Sequence, residues 1–258
     1  MKNLVLGSAC WNKKDNSYNF VKSLRKCYSG DVYFIVNNNL DQDTDDFFHK
    51  YRIKKIITNV KGKKIQKERF KIFLDFLCNN DYEKIFISDT RDVIFQNNPF
   101  LNIKFNKLNF FFEDNIIKNC EHNSRWIKKT YNKKTYDEIK LNQISCSGTT
   151  MAYSDEMIKY LQRMVFHIEN YKYFSFFNNP HDQGWHNYIV HKEKKILEYK
   201  KFVNQDGFLA TLAQSNTDDF IFSDVLKTKD GLIFDVVHQY DRKKFYDLMP
   251  KIIKNLVD

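Results

Sequence analysis

KIFISDTRDVIFQNNPF, residues 84–100, is the stretch whose reading decides the fold. Its first five residues, from Lys84 to Ser88, form a β-branched and aromatic run, the pattern of a buried strand. The chain then turns sharply into Asp89-Thr90-Arg91-Asp92. Ligands of open α/β sheets collect at the carboxyl ends of the strands. Two carboxylates leaving such an end make a hard-oxygen site suited to Mg²⁺ or Mn²⁺ shared with a diphosphate. The same four residues also read as a solvated acidic turn, with Arg91 or Asp92 in a structural ion pair.

Towards the N-terminus the pattern alternates. Residues 3–10 read as a strand ending in Gly7, Ser8 and Ala9, small residues that let a ligand approach the backbone. Phe20, Val21, Leu24 and Cys27 recur at helical spacing within 17–28. Residues 32–36 form a second strand, 41–51 a helix with an acidic first turn, and 53–60 a third strand. After the basic, solvated turn at 61–64, a helix over 66–78 carries Phe70, Phe73, Leu74 and Leu77 on a buried stripe. Arg69 lies beside that stripe, either reaching the ligand edge or simply exposed. This alternation predicts an α/β fold with a mostly parallel central sheet flanked by helices. There is no GxGxxG or GxxxxGK[ST] motif, so dinucleotide and P-loop readings lose their main support.

Towards the C-terminus, residues 108–113 (LNFFFE) read as a further strand. Residues 114–141 are polar, basic and poorly periodic, with Cys120, His122 and Trp126 among them, and read as a long irregular loop. Residues 143–153 form a strand broken by small residues at Ser147-Gly148-Thr149, the mark of a bulge or a close backbone approach. Ser154 opens a helix that buries Ile158, Leu161, Met164 and Val165. The aromatic run at 171–177 either packs under a loop or stacks on sugars or bases. Another helix starts near Pro180, with Asp182, Gln183, His186 and Asn187 on one exposed face. From Ile196 onward short strands and turns lead to His238-Gln239-Tyr240-Asp241-Arg242.

Bulk properties narrow the classes. A hydrophobic content of 42% and 16% aromatics exclude a disordered chain. Only 7 Gly and 3 Pro in 258 residues leave little room for linkers, which favours a single domain. The net charge of +10 suits an anionic partner, although scattered Lys is ordinarily a solvated surface. Five widely spaced cysteines without a CxxC pair read as reduced thiols in a cytoplasmic protein, with no zinc site. The N-terminal apolar run is too short for a signal peptide and no 18 apolar residues occur in succession, so no transmembrane segment is expected. Peripheral association with a membrane surface stays open.

FISDTRDVIFQNNPF, ISCSGTTMAYSDEMIKYL, HDQGWHNYIVH, NQDGFLATL and VVHQYDR form an ordered set that resembles GT-A-type glycosyltransferases. The resemblance implies a single Rossmann-like domain, with residues 1–100 as the nucleotide half and 101–258 as the half for donor sugar and acceptor. It implies transfer of a sugar from a nucleotide-diphosphate sugar, UDP favoured, to a hydroxyl of a glycan or glycoconjugate, with Mn²⁺ or Mg²⁺. The DxD motif of such enzymes is stretched here to Asp89-Thr90-Arg91-Asp92. Asp92 is the favoured direct ligand and Asp89 lies nearer the ribose or sugar, both in the metal set. His238 is either a further ligand or a strand-end histidine bonded to a neighbour. Ser8, Arg69, Asp89, Arg91, Ser147, Gly148, Thr149 and Gln183 would line the donor, with Arg69 and Arg242 at the diphosphate. Asp182 would be the catalytic carboxylate: in an inverting enzyme it accepts the acceptor's proton, and in a retaining one it positions substrates with Gln183. Its position also suits a helix N-cap.

Two other classes stand beside this one. A nucleotidyltransferase would need a Gly-rich, Arg- or Lys-bearing loop after the first strand, which Leu6-Gly7-Ser8-Ala9-Cys10-Trp11 lacks. A non-catalytic nucleic-acid-binding protein would need an RNP-like motif, zinc-finger spacing or a focused basic helix. None occurs, so no nucleic-acid partner is expected.

Overall fold

Strand and helix alternate through the first part of the chain as β1 (Leu4–Ser8), α1 (Tyr18–Cys27), β2 (Asp31–Asn37), α2 (Gln42–Lys50), β3 (Lys54–Thr58), α3 (Ile65–Cys78) and β4 (Lys84–Ser88). The computed structural model describes residues 2–10, 17–60, 62–103, 107–170 and 182–258. Period-two alternation splits each central strand between two cores. Leu4, Leu6, Ile85 and Ile87 pack with Phe70, Phe73 and Leu77 of α3, while Val5 and Phe86 pack with Phe20, Val21 and Leu24 of α1. Asp41 caps α2 by accepting from the Thr44 amide at 2.9 Å, and Asp43 and Asp45 complement the helix dipole.

β5 (Val93–Phe95), β6 (Leu108–Ile116), α4 (Glu121–Thr130), α5 (Lys133–Ile139), β7 (Gln143–Tyr153), α6 (Ser154–Asn170) and α7 (Asp182–Lys192) follow. The last part carries β8 (Lys200–Phe202), β9 (Leu209–Thr211), β10 (Phe220–Phe222), β11 (Leu226–Thr228), β12 (Val236–His238) and α8 (Pro250–Val257). The central sheet has seven strands in the order β3-β2-β1-β4-β7-β6-β8. Its pairs are parallel except where β7 runs antiparallel between β4 and β6. The carboxyl ends of β1, β4 and β6 and the start of β7 therefore share one edge. A smaller sheet, β5-β12-β9, closes over that edge by pairing His238 with Val93.

Several expectations change. Residues 114–141 are not an irregular loop, because β6 runs on to Ile116 and α4 and α5 occupy most of the remainder. The buried face of α4 is Asn123, Ser124, Ile127 and Thr130. Helical spacing is present there but filled mainly by polar residues, which hides it from an apolar-periodicity reading. β7 stays one strand, but its pairing with β6 slips at the break expected around Ser147-Gly148-Thr149. Phe110 faces Thr150 and Phe112 faces Ser145, so the surplus residues of that shift lie on β7, and a second shift follows between Phe112 and Ile116 of β6. α8 closes the chain where only short strands and turns were read. The aromatic run at 171–177 and the turn containing Pro180 lie outside the described residues. All five cysteines are free thiols. Among the described residues no helix is long and apolar enough to cross a membrane.

Candidate functional site

Asp89 and Asp92 leave the end of β4 and enter a cavity of about 650 Å³. Pairing of β12 with β5 brings His238 beside them, since His238 is registered on Val93 and the Gln239 amide donates to the Asp92 carbonyl at 2.7 Å. Nε2 of His238 lies 3.5 Å from Asp92 Oδ1 and 3.8 Å from Asp89 Oδ2. One ligand atom from each of the three residues falls within 4.8 Å of the others. Gly148 faces this group: a Cβ there would lie 2.4 Å from His238 Cε1 and 2.7 Å from Asp89 Oδ2. The close approach expected at Gly148 is thus made by the chain's own carboxylate and imidazole. Two carboxylates and an imidazole, converging on space that a side chain would fill, fit a hard divalent cation.

Burial would raise the Asp92 carboxyl, yet His238, Arg242 and Arg91 hold it below the usual carboxylate range. Burial likewise opposes an imidazolium at His238. The Cys146 sulfur 3.5 Å from Nδ1 and the Asp92 carboxylate outweigh it and keep the pKa above the ordinary value. A metal would take the neutral ring through Nε2 and displace that proton. Arg242 donates to Asp92 Oδ2 at 3.2 Å, and Arg91 pairs with Asp241 at 3.1 Å. Carboxylates and guanidinium groups thus interleave around one point, as a diphosphate with a counter-cation requires.

Arg69 is buried rather than exposed, and it joins the two halves of the site. Nη1 pairs with Asp89 at 2.5 Å and Nη2 with Asp182 at 2.7 Å. The two carboxylates hold the guanidinium above its ordinary pKa against the opposing effect of burial. Its buried Nε has no partner among the described residues. Ser8 lines the cavity, and its carbonyl accepts from Thr90 Oγ1 at 2.7 Å. The space beside Gly7 is filled by the Thr90 methyl, 2.4 Å from where a Cβ would stand.

The face shared by Asp182, Gln183, His186 and Asn187 is buried, not exposed. α7 packs on the start of β7, and these side chains satisfy its backbone. Gln183 accepts from the Ser147 amide at 2.8 Å and donates to the Ser145 carbonyl at 2.6 Å, while Asn187 accepts from the Ser145 amide at 3.0 Å. Both ends of the Gln183 amide are therefore engaged by the protein. Asp182 takes the cap-like contact, accepting from the Gln183 amide at 2.9 Å, and also lines the cavity. Ser147 lines it too, whereas Thr149 is fully buried in β7 and is not among the lining residues.

Glu113 is the carboxylate the sequence reading missed. It sits at the end of the apolar run Phe110-Phe111-Phe112, nearly fully buried, and lines the same cavity. Burial pushes its carboxyl up to about 7, although Gln239 donates to it at 3.5 Å. Gln239 adopts a left-handed φ of 64°, and its side-chain oxygen accepts from the Ala213 amide at 3.0 Å. An acidic residue ending a buried strand of the same sheet was the available signal. Neither a protein-family model nor a curated protein matches this chain.

Proposed function

We propose that the protein is a GT-A-type, metal-dependent glycosyltransferase, which moves a sugar from a nucleotide-diphosphate sugar, UDP favoured, to a hydroxyl of a glycan or glycoconjugate. The observation that carries the reading is the convergence of Asp89, Asp92 and His238 on the Gly148 face, at the strand ends of an α/β sheet. Asp89, Asp92 and His238 would hold Mn²⁺ or Mg²⁺, which supplies charge to stabilise the departing nucleoside diphosphate.

Arg242 and the unpartnered Nε of Arg69 are placed to bind and orient the diphosphate. In the transfer, the bond from the acceptor oxygen to the anomeric carbon forms as the bond to the diphosphate oxygen breaks. The acceptor's proton must leave to a base. Asp182 has one oxygen on Arg69 and the other on its own helix terminus, so it suits orientation. Glu113, with a pKa near neutrality, suits holding the proton.

Thermal unfolding with UDP, GDP and their sugars, each with Mn²⁺ or with EDTA, tests the proposal. Ligand at 100 times its Kd contributes about 2.7 kcal/mol, an upward shift of about 5–10 °C for a chain of this size. A Mn²⁺-dependent shift with one nucleotide, abolished in Asp92→Ala, is the expected result. No shift with any nucleotide overturns it.

A further inference from the structure

The wall of the cavity supplied by α4 carries no part of the metal or diphosphate set. His122, Asn123 and Trp126 line it. The rings of His122 and Trp126, one helical turn apart, are near-parallel at 28° with centroids 5.6 Å apart. Arg125 fixes this pair by bonding His122 Nδ1 at 2.8 Å, and is itself within 3.8 Å of Glu121. Asn123, which follows His122 in the chain and lines the same wall, is 4% exposed. Its Nδ2 donates to Cys120 Sγ at 3.2 Å, but its Oδ1 has no partner among the described residues. A buried amide oxygen without a donor is destabilising, a cost that a ligand hydroxyl removes.

We infer that this α4 wall is a carbohydrate subsite: Trp126 stacks on the apolar face of a pyranose ring of the acceptor, and Asn123 Oδ1 accepts from one of its hydroxyls. A pyranose presents a C–H face bordered by hydroxyl groups, which matches an aromatic plane beside an orphaned amide oxygen. The wall is built for a neutral partner, because Arg125 is already engaged by Glu121 and His122. Its position is also held closely. Gly184 of α7 lets α4 pack tight, since a Cβ there would stand 2.5 Å from Thr130 Oγ1 and 3.2 Å from the Trp126 carbonyl.

The acceptor role rests on the proposed transferase activity; the sugar-binding role does not. Saturation-transfer NMR with methyl glycosides of galactose and glucose, N-acetylglucosamine and lactose reads the subsite directly. UDP–Mn²⁺ thermal shifts, run on the same samples, read the donor site. At least one sugar should bind the wild type. Trp126→Ala should weaken it about ten-fold, with Trp126→Phe restoring most of the loss. Asn123→Ala should weaken it about five-fold. The UDP–Mn²⁺ shift should be unchanged in all three variants. Wild-type affinity in Trp126→Ala, or no binding of any sugar to the wild type, overturns the subsite. Loss of UDP binding in Trp126→Ala with sugar binding intact also overturns it and makes the indole a nucleobase platform. Sugar binding that depends on Trp126, with no nucleotide binding by the wild type, keeps the subsite and sinks the transferase.

Discussion

Gly148 and His238 are matched: the absent side chain of one is the space occupied by the ring of the other. A Cβ on Gly148 would meet His238 Cε1 at 2.4 Å and Nε2 at 2.9 Å. Gly148 also receives the Asp89 amide on its carbonyl at 2.7 Å, so its backbone is held in place. The imidazole would have to move instead. Gly148→Ala should cost about 1–3 kcal/mol in stability through overpacking. It should also weaken Mn²⁺ binding by at least about ten-fold, read by EPR titration. Unchanged Mn²⁺ affinity in this variant would show that the three residues are not the ligand set.

Arg69 holds Asp89 and Asp182 together from a buried position. Arg69→Met removes the guanidinium that the buried Asp182 carboxylate faces. We expect a loss of about 3 kcal/mol in urea unfolding, below the upper range for buried pairs because Asp89 is partly solvated. Arg69→Met/Asp182→Asn should recover much of that loss, as the buried carboxylate that faced the guanidinium is then neutral. Equal stability of the single and double variants would refute the coupling.

Glu113 has a folded pKa of about 7 against an ordinary value of 4.5. Between those values the folded protein keeps a proton that the unfolded chain has released. Its stabilising contribution is therefore complete below pH 4.5 and is lost as pH rises through 7, about 3 kcal/mol in all. Relative to wild type, Glu113→Gln should gain stability progressively from pH 4.5 to pH 8. Denaturant unfolding across that range in EDTA checks it, and a difference that does not vary with pH counts against the assignment.

His186 carries the opposite sign. Burial lowers it from 6.5 to about 3, and its ring bonds Ser145 Oγ and Tyr160 Oη, each at 2.8 Å. The unfolded chain binds a proton here at a pH where the folded protein does not. The contribution is present above pH 6.5 and is lost as pH falls towards 3. His186→Gln should lower stability at pH 8 through the altered hydrogen bonds, yet flatten its decline between pH 6 and pH 4. Parallel pH profiles for the two proteins would contradict this.

The alternation of apolar runs and helical stripes up to Ser88 is local chemistry, and it was legible without the structure. Side-chain periods of 2 and 3.6 act over a few neighbours, so residues 84–88 announced a buried strand, with Asp89 and Asp92 just beyond its carboxyl end. What those carboxylates meet was not local. Asp92 and Arg242 come together across 150 residues, and Arg69 and Asp182 across 113, through strand pairing and helix docking that no short window contains. The same holds for burial. Gln183 and Asn187 read as exposed polar residues, and only the docking of α7 on β7 turned them to its backbone. Glu113 read as the last residue of a strand, and its pKa follows from the desolvation that neighbouring elements impose. The sequence by itself determined the alternating elements up to Ser88 and the carboxylates that follow the central strand, while α4, α5 and α8 lay outside its apolar periodicity. The tertiary structure alone decided which of those residues share a site, because that depends on distances closed by the whole chain.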